Sequence, residues 1–157
     1  LDSATNIARL DWALARIPGY AGINNHEGSR FTSDREALIP VMEHLADKHV
    51  FFLDSRTAPD TQVVRLARAF AVASAGRDVF LDDVQTAAAI DSQLTRAEMI
   101  AREQGIVIAI GHPHPATMEA LAHWTATAAA RGLKLVTASE AIRLKTERDV
   151  RSLSAAR

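Results

Sequence analysis

Two histidines stand between prolines at the end of an apolar run: Ile106-Val107-Ile108-Ala109-Ile110-Gly111-His112-Pro113-His114-Pro115. Imidazole carries protons near neutral pH and binds metals as the neutral ring. The prolines fix φ and push the residues before them into extended backbone, so both rings sit on stiff chain. His112 reads as a general acid or a metal ligand, and the plainer alternative is a histidine that closes a strand end. His114, one proline further on, faces either the same cleft, as a second ligand, or solvent.

Other polar groups follow apolar runs in the same way. His26 lies in Asn24-Asn25-His26-Glu27-Gly28-Ser29-Arg30 after Gly22-Ile23. As a metal ligand it would offer neutral imidazole to zinc, with Asn24 or Asn25 supporting it. As an ordinary loop residue it would hydrogen-bond the turn. Asp54 and Arg56 end Val50-Phe51-Phe52-Leu53. Alternate residues of extended chain share a side, so Asp54 is a candidate base or ligand and Arg56 its orienting partner. A structural ion pair fits the same spacing. Asp82 and Asp83 follow Val79-Phe80-Leu81, and a helix cap is the simpler role for either. Glu27 is a weak general-base candidate. His44, His49 and His123 lie on or beside helices and read as surface residues. Trp12 and Trp124, also on helices, read as packing groups rather than sugar platforms.

The elements that must carry these groups alternate. Apolar runs at Gly22-Ile23, Val50–Leu53, Val79–Leu81, Ile106–Ile110 and Leu133–Val136 read as strands. Between them lie helical patterns: Asp2 to Ile17, about Asp34 to Lys48, about Pro59 to Ala73, about Thr86 to Gln104 and about Pro115 to Arg131. A short helix follows from about Ser139. Ser3 is a candidate cap for the first helix, and Ser33 with Glu36 forms a capping box for the second. Pro115 suits a first helical position, and Gly105 and Gly132 suit helix ends. Alternating strand and helix predicts an α/β fold with parallel strands. In such folds the carboxyl ends of the strands carry the chemistry. Residues 1–144 read as one domain, and the charged stretch 145–157 as a disordered tail.

Composition removes several classes. Apolar residues at 48% argue a globular chain, and a net charge of −1 gives no basic footprint for nucleic acid. No apolar run has the length of a membrane span. Cysteine is absent, which removes disulfide and thiol chemistry. No phosphate loop or Gly-x-Ser-x-Gly elbow is present.

Four segments together resemble the divergent polysaccharide deacetylase family, relatives of the NodB-homology carbohydrate esterases. They are Gly22–Ser29, Phe51–Thr57, Asp78–Asp82 and Ile108–Pro115, and the resemblance runs from about Ser3 to Leu144. It implies an incomplete (β/α) barrel, with the amino-terminal strands and their Asp pair expected upstream of Leu1. It further implies a divalent metal, usually zinc, held by Asp and His, with His26 and His114 as the candidates here. Asp54, Arg56 and His112 are then the candidate catalytic residues. The implied reaction is N-deacetylation of an acetylated amino sugar polymer by an exported protein of the periplasm or cell envelope. A non-catalytic carbohydrate-binding or protein-interaction module on the same scaffold is the alternative. An exposed sheet edge makes a homodimer a further expectation.

Overall fold

The computed structural model of the protein describes the backbone of residues 1–155 and the side chains of residues 1–151. The chain divides into two units, one of residues 1–76 with the chain from Thr146 onward, the other of residues 77–145.

In the first unit, α1 (Ser3–Leu14) is capped by Asp2, whose carboxylate accepts from the Thr5 amide at 2.8 Å. The cap is therefore one residue earlier than Ser3. The helix stops at Leu14, and Ile17, expected on its apolar face, is exposed. β1 (Gly22–Asn24), β2 (Phe51–Asp54) and β3 (Ser74–Gly76) form a parallel sheet in that order. Gly22 pairs with Phe51, whose ring lies where a Cβ at position 22 would be. A five-residue helix, α2 (Ser29–Ser33), and α3 (Arg35–Asp47) join β1 to β2. Asp34, not Ser33, caps α3, accepting from the Glu36 and Ala37 amides. The helix runs on through Pro40 and buries Leu38, Val41, Met42 and Leu45, the stripe its spacing predicts. α4 (Val63–Ala69) joins β2 to β3, and Phe52, Val63 and Leu66 complete a core with α3.

In the second unit, β4 (Val79–Phe80) pairs in parallel with β5 (Ala109–Ile110). α5 (Ala87–Gln104) connects them, with the Thr86 hydroxyl at its start and Gly105, at φ 78°, at its end. α6 (Pro115–Ala128) opens with proline in its first turn and runs into a 3-10 turn, Ala129–Arg131, before Gly132 at φ 78°. Val79, Leu81, Ile90, Leu94 and Ala97 form the core, with Leu121 and Trp124 of α6 against it. The helical spacing of Met118, Leu121 and Thr125 predicts an inward stripe, but Met118 is 55% exposed and Thr117 is fully buried, so the inward stripe of α6 is turned by about one residue.

Two further expectations change. Leu133–Val136 forms no strand, and the fifth strand is β3, whose Ser-Ala-Gly sequence has little apolar signal. The segment read as a disordered tail from Lys145 is helical as far as Ala155, in α7 (Ala138–Ala155), and residues 156 and 157 lie outside the described residues. Lys145 is buried and bridges both Asp78 carboxylate oxygens at 2.6 Å. A lysine that buries its stem and pairs its head does not behave as tail charge. The fold is thus α/β with parallel strands in two small sheets and no closed barrel among the described residues.

Candidate functional site

Parallel pairing brings the ends of β4 and β5 together. Two residues beyond each strand stand Asp82 and His112. The Asp82 side chain has no exposed surface, and it is closed in by hydrogen bonds. Its Oδ2 accepts from the His112 amide and, at 2.9 Å, from the Thr117 hydroxyl. Its Oδ1 lies 3.1 Å from His112 Nδ1. An ionised carboxylate accepts only, so that contact is Nδ1–H donating to Asp82. The tautomer then leaves Nε2 as the nitrogen with the lone pair.

Burial works to raise the Asp82 carboxyl, but the His112 amide, the His112 ring and the Thr117 hydroxyl outweigh it and hold the group below the usual carboxylate range. The Phe80 ring meets the His112 ring edge-on at 5.4 Å between centroids, and the His114 ring lies 5.6 Å from that of His112. One donor atom each from Asp82, His112 and His114 falls within 4.8 Å of the others. A carboxylate oxygen and two imidazole nitrogens are a set that zinc accepts. The arrangement can therefore hold a divalent ion, or hold an oriented imidazole for proton transfer.

His114 is the N-cap residue of α6 but makes no side-chain cap bond, so its ring is not spent on the helix. Asp82 was weighed in the sequence as a cap, but Thr86 caps α5. The buried acid faces a glycine: a Cβ at Gly111 would lie 3.3 Å from Asp82 Oδ2.

The remaining candidates lie in the first unit. Asp54 is fully buried at the end of β2, accepting from the Arg56 amide at 2.8 Å and the Thr61 hydroxyl at 3.0 Å. That is the bonding of a turn-forming aspartate. Arg56 has φ 50°, so the chain has left the extended course on which a shared side for the two residues was predicted. The Arg56 side chain instead lies over Gly76. His26 is exposed in the loop after β1. The Asn25 amide accepts from the Ser55 backbone at 2.9 Å and donates to the Glu27 carbonyl at 3.1 Å, tying the loops after β1 and β2 together.

Of the other histidines, His44 is half-buried and pairs with Asp11 at 2.8 Å, joining α3 to α1. Trp12, predicted to pack, is 62% exposed with the Arg16 guanidinium over its ring. No helix among the described residues is long and apolar enough to cross a membrane.

Comparison with known proteins places these motifs. A sequence from Escherichia coli K12, the uncharacterized protein YibQ, is 46% identical over 109 residues, 69% of this chain and 34% of its own length. An uncharacterized protein of Haemophilus influenzae Rd is 42% identical over 113 residues, 72% of this chain and 40% of its own. The chain thus spans well under half of these relatives. The crystal structure of uncharacterized protein ATU2773 from Agrobacterium tumefaciens C58 superposes with a TM-score of 0.87 at 31% identity, covering 89% of this chain and 57% of that one. The family model described as divergent polysaccharide deacetylase matches residues 1–142, and the chain belongs to that family.

Proposed function

We propose that the chain is part of a metal-dependent N-deacetylase acting on an acetylated amino sugar polymer of the cell envelope. The observation that carries the reading is the buried Asp82 carboxylate under the His112 ring. In this reaction water adds to the N-acetyl carbonyl, the C–N bond breaks, acetate leaves and the amine takes a proton. With Nδ1 committed to Asp82, His112 delivers that proton from Nε2, and Asp82 stabilises the imidazolium that precedes delivery.

Where His112 serves as a ligand instead of the acid, Asp82, His112 and His114 would together hold the divalent metal that the family implies, and zinc suits such a donor set. When bound, such an ion supplies Lewis acidity to the carbonyl and a water of lowered pKa. The convergence of the three donors favours a second reading of His112, as a ligand rather than the acid. Export to the envelope and pairing of two copies through a sheet edge belong to the same proposal.

The test is acetate release from an acetylated amino sugar polymer, with and without added zinc. His112→Ala is expected to lose about 10²–10⁴-fold in rate, the usual worth of a general acid. Asp82→Asn is expected to lose about 10–100-fold, as an orienting partner does. A folded protein that binds the polymer and releases no acetate under any metal would make the chain a binding module.

A further inference from the structure

We infer that Thr117 is a positioning residue for Asp82 and His112, its hydroxyl fixing the carboxylate plane so that the oxygen it does not hold faces the ring. The inference rests on the reading of His112 as the working imidazole. A carboxylate turns readily about its last bond, because that torsion is broad and roughly two-fold. A single donor on one oxygen would let it swing. Here Oδ2 is held from two directions, by the His112 amide after β5 and by the Thr117 hydroxyl of α6 at 2.9 Å. With Oδ2 fixed, Oδ1 has one place to go, 3.1 Å from His112 Nδ1.

Thr117 is unlike the other threonines of its helix. The hydroxyls of Thr125 and Thr127 turn back onto carbonyls three and four residues earlier. That is the local bond a helical threonine ordinarily makes. Thr117 lies in the first turn and sends its hydroxyl across to Asp82 instead. It is fully buried, so the hydroxyl has no water to fall back on. The threonine methyl lies 3.2 Å from where a Gly111 Cβ would be. Hydroxyl and methyl therefore have separable tasks, one on the carboxylate and one in packing.

The experiment compares the chain with Thr117→Val and Thr117→Ser. Two readouts are taken: zinc affinity by competition with a chromophoric chelator, and the His112 tautomer from ring nitrogen shifts at about pH 8.5, some two units above the ordinary imidazole value. Thr117→Val is expected to weaken zinc about 10–100-fold and to mix the tautomers. Thr117→Ser is expected to behave as the parent chain. Valine matching the parent on both readouts overturns the inference, and so does serine matching a defective valine, because packing alone then explains the loss. Should the valine variant not fold, the parent's Thr117 hydroxyl proton decides: slow exchange with solvent supports the bond, and exchange at the rate of an open hydroxyl overturns it. A parent chain that binds no zinc removes the metal reading, while the tautomer comparison still tests Thr117.

Discussion

Gly111 separates β5 from the two histidines, and its missing side chain is what lets Asp82 approach them. A Cβ there would lie 3.2 Å from Thr117 Cγ2, 3.3 Å from Asp82 Oδ2 and 3.3 Å from Leu81 Cβ. All three neighbours are buried and none ends in a flexible tip that can swing away. Gly111→Ala is therefore expected to destabilise the protein by about 1–3 kcal/mol, the usual range for overpacking. Urea unfolding at neutral pH measures it, and an unchanged midpoint would mean that the strand end yields. The sequence showed Gly111 only as the stop of an apolar run. It showed His112 and His114 through their prolines, because Pro constrains backbone in a way that reads directly from residue type. Asp82 was less legible, since a buried acid and a capping acid look alike until the helix start is known. The course of the chain from Asp54 to Arg56 was not legible for a related reason: the alternation rule holds only in extended chain, and Arg56 has turned out of it.

At the scale of elements, α6 carries Thr117 and starts from His114 at its N-cap, so whatever fixes α6 fixes these two residues of the site. Glu98 of α5 does much of this. It takes Arg102 at 2.6 Å and Arg131 at 3.0 Å, while Arg131 also donates to the Trp124 carbonyl at 3.1 Å. The hydrogen bond from Arg102 leads the causes that hold Glu98 below the usual carboxylate range, with Arg131 adding to it against partial burial. A carboxylate whose folded pKa is depressed binds its proton more readily in the unfolded chain. Its contribution is whole above the unfolded value, about 4.3, and is lost as pH falls through the lower folded value. Melting temperatures followed from about pH 6 to about pH 3 are expected to fall less steeply in Glu98→Gln than in the parent. Equal slopes would remove Glu98 from the account.

The limits of α5 were legible because Thr86 and Gly105 are chemical stops. The inward face of α6 was not, because Met118 is as apolar as the residues that do pack, and the Thr117 hydroxyl finds its partner outside the helix. β3 was missed because Ser-Ala-Gly carries little apolar signal, and α2 because five residues give periodicity nothing to act on. Leu133–Val136 shows the converse: a strand-like run stays out of a sheet where no neighbouring strand takes it into a ladder.

Over the whole molecule, the sequence motifs divide between the two units. The loop of His26, with Asp54 and Arg56, belongs to residues 1–76, and Asp82, His112 and His114 belong to residues 77–145. The family resemblance pointed to His26 and His114 as ligands, and His114 is one of the three convergent donors of the second unit. Three donors within 4.8 Å of one another could hold a tetrahedral ion whose fourth position is a water. His26 is exposed, and the asparagine beside it is engaged with Ser55 and Glu27 rather than with its ring. The parent chain, purified without chelator and supplied with zinc, is therefore expected to retain about one ion per chain, the load of a single closed donor set. His26→Ala should keep that ion and His114→Ala should lose it, as read by elemental analysis after gel filtration. The opposite pattern, loss with His26→Ala and retention with His114→Ala, would move the ligand role to the first unit. Asp82 would then act on the His112 ring alone, as the orienting partner of a proton donor.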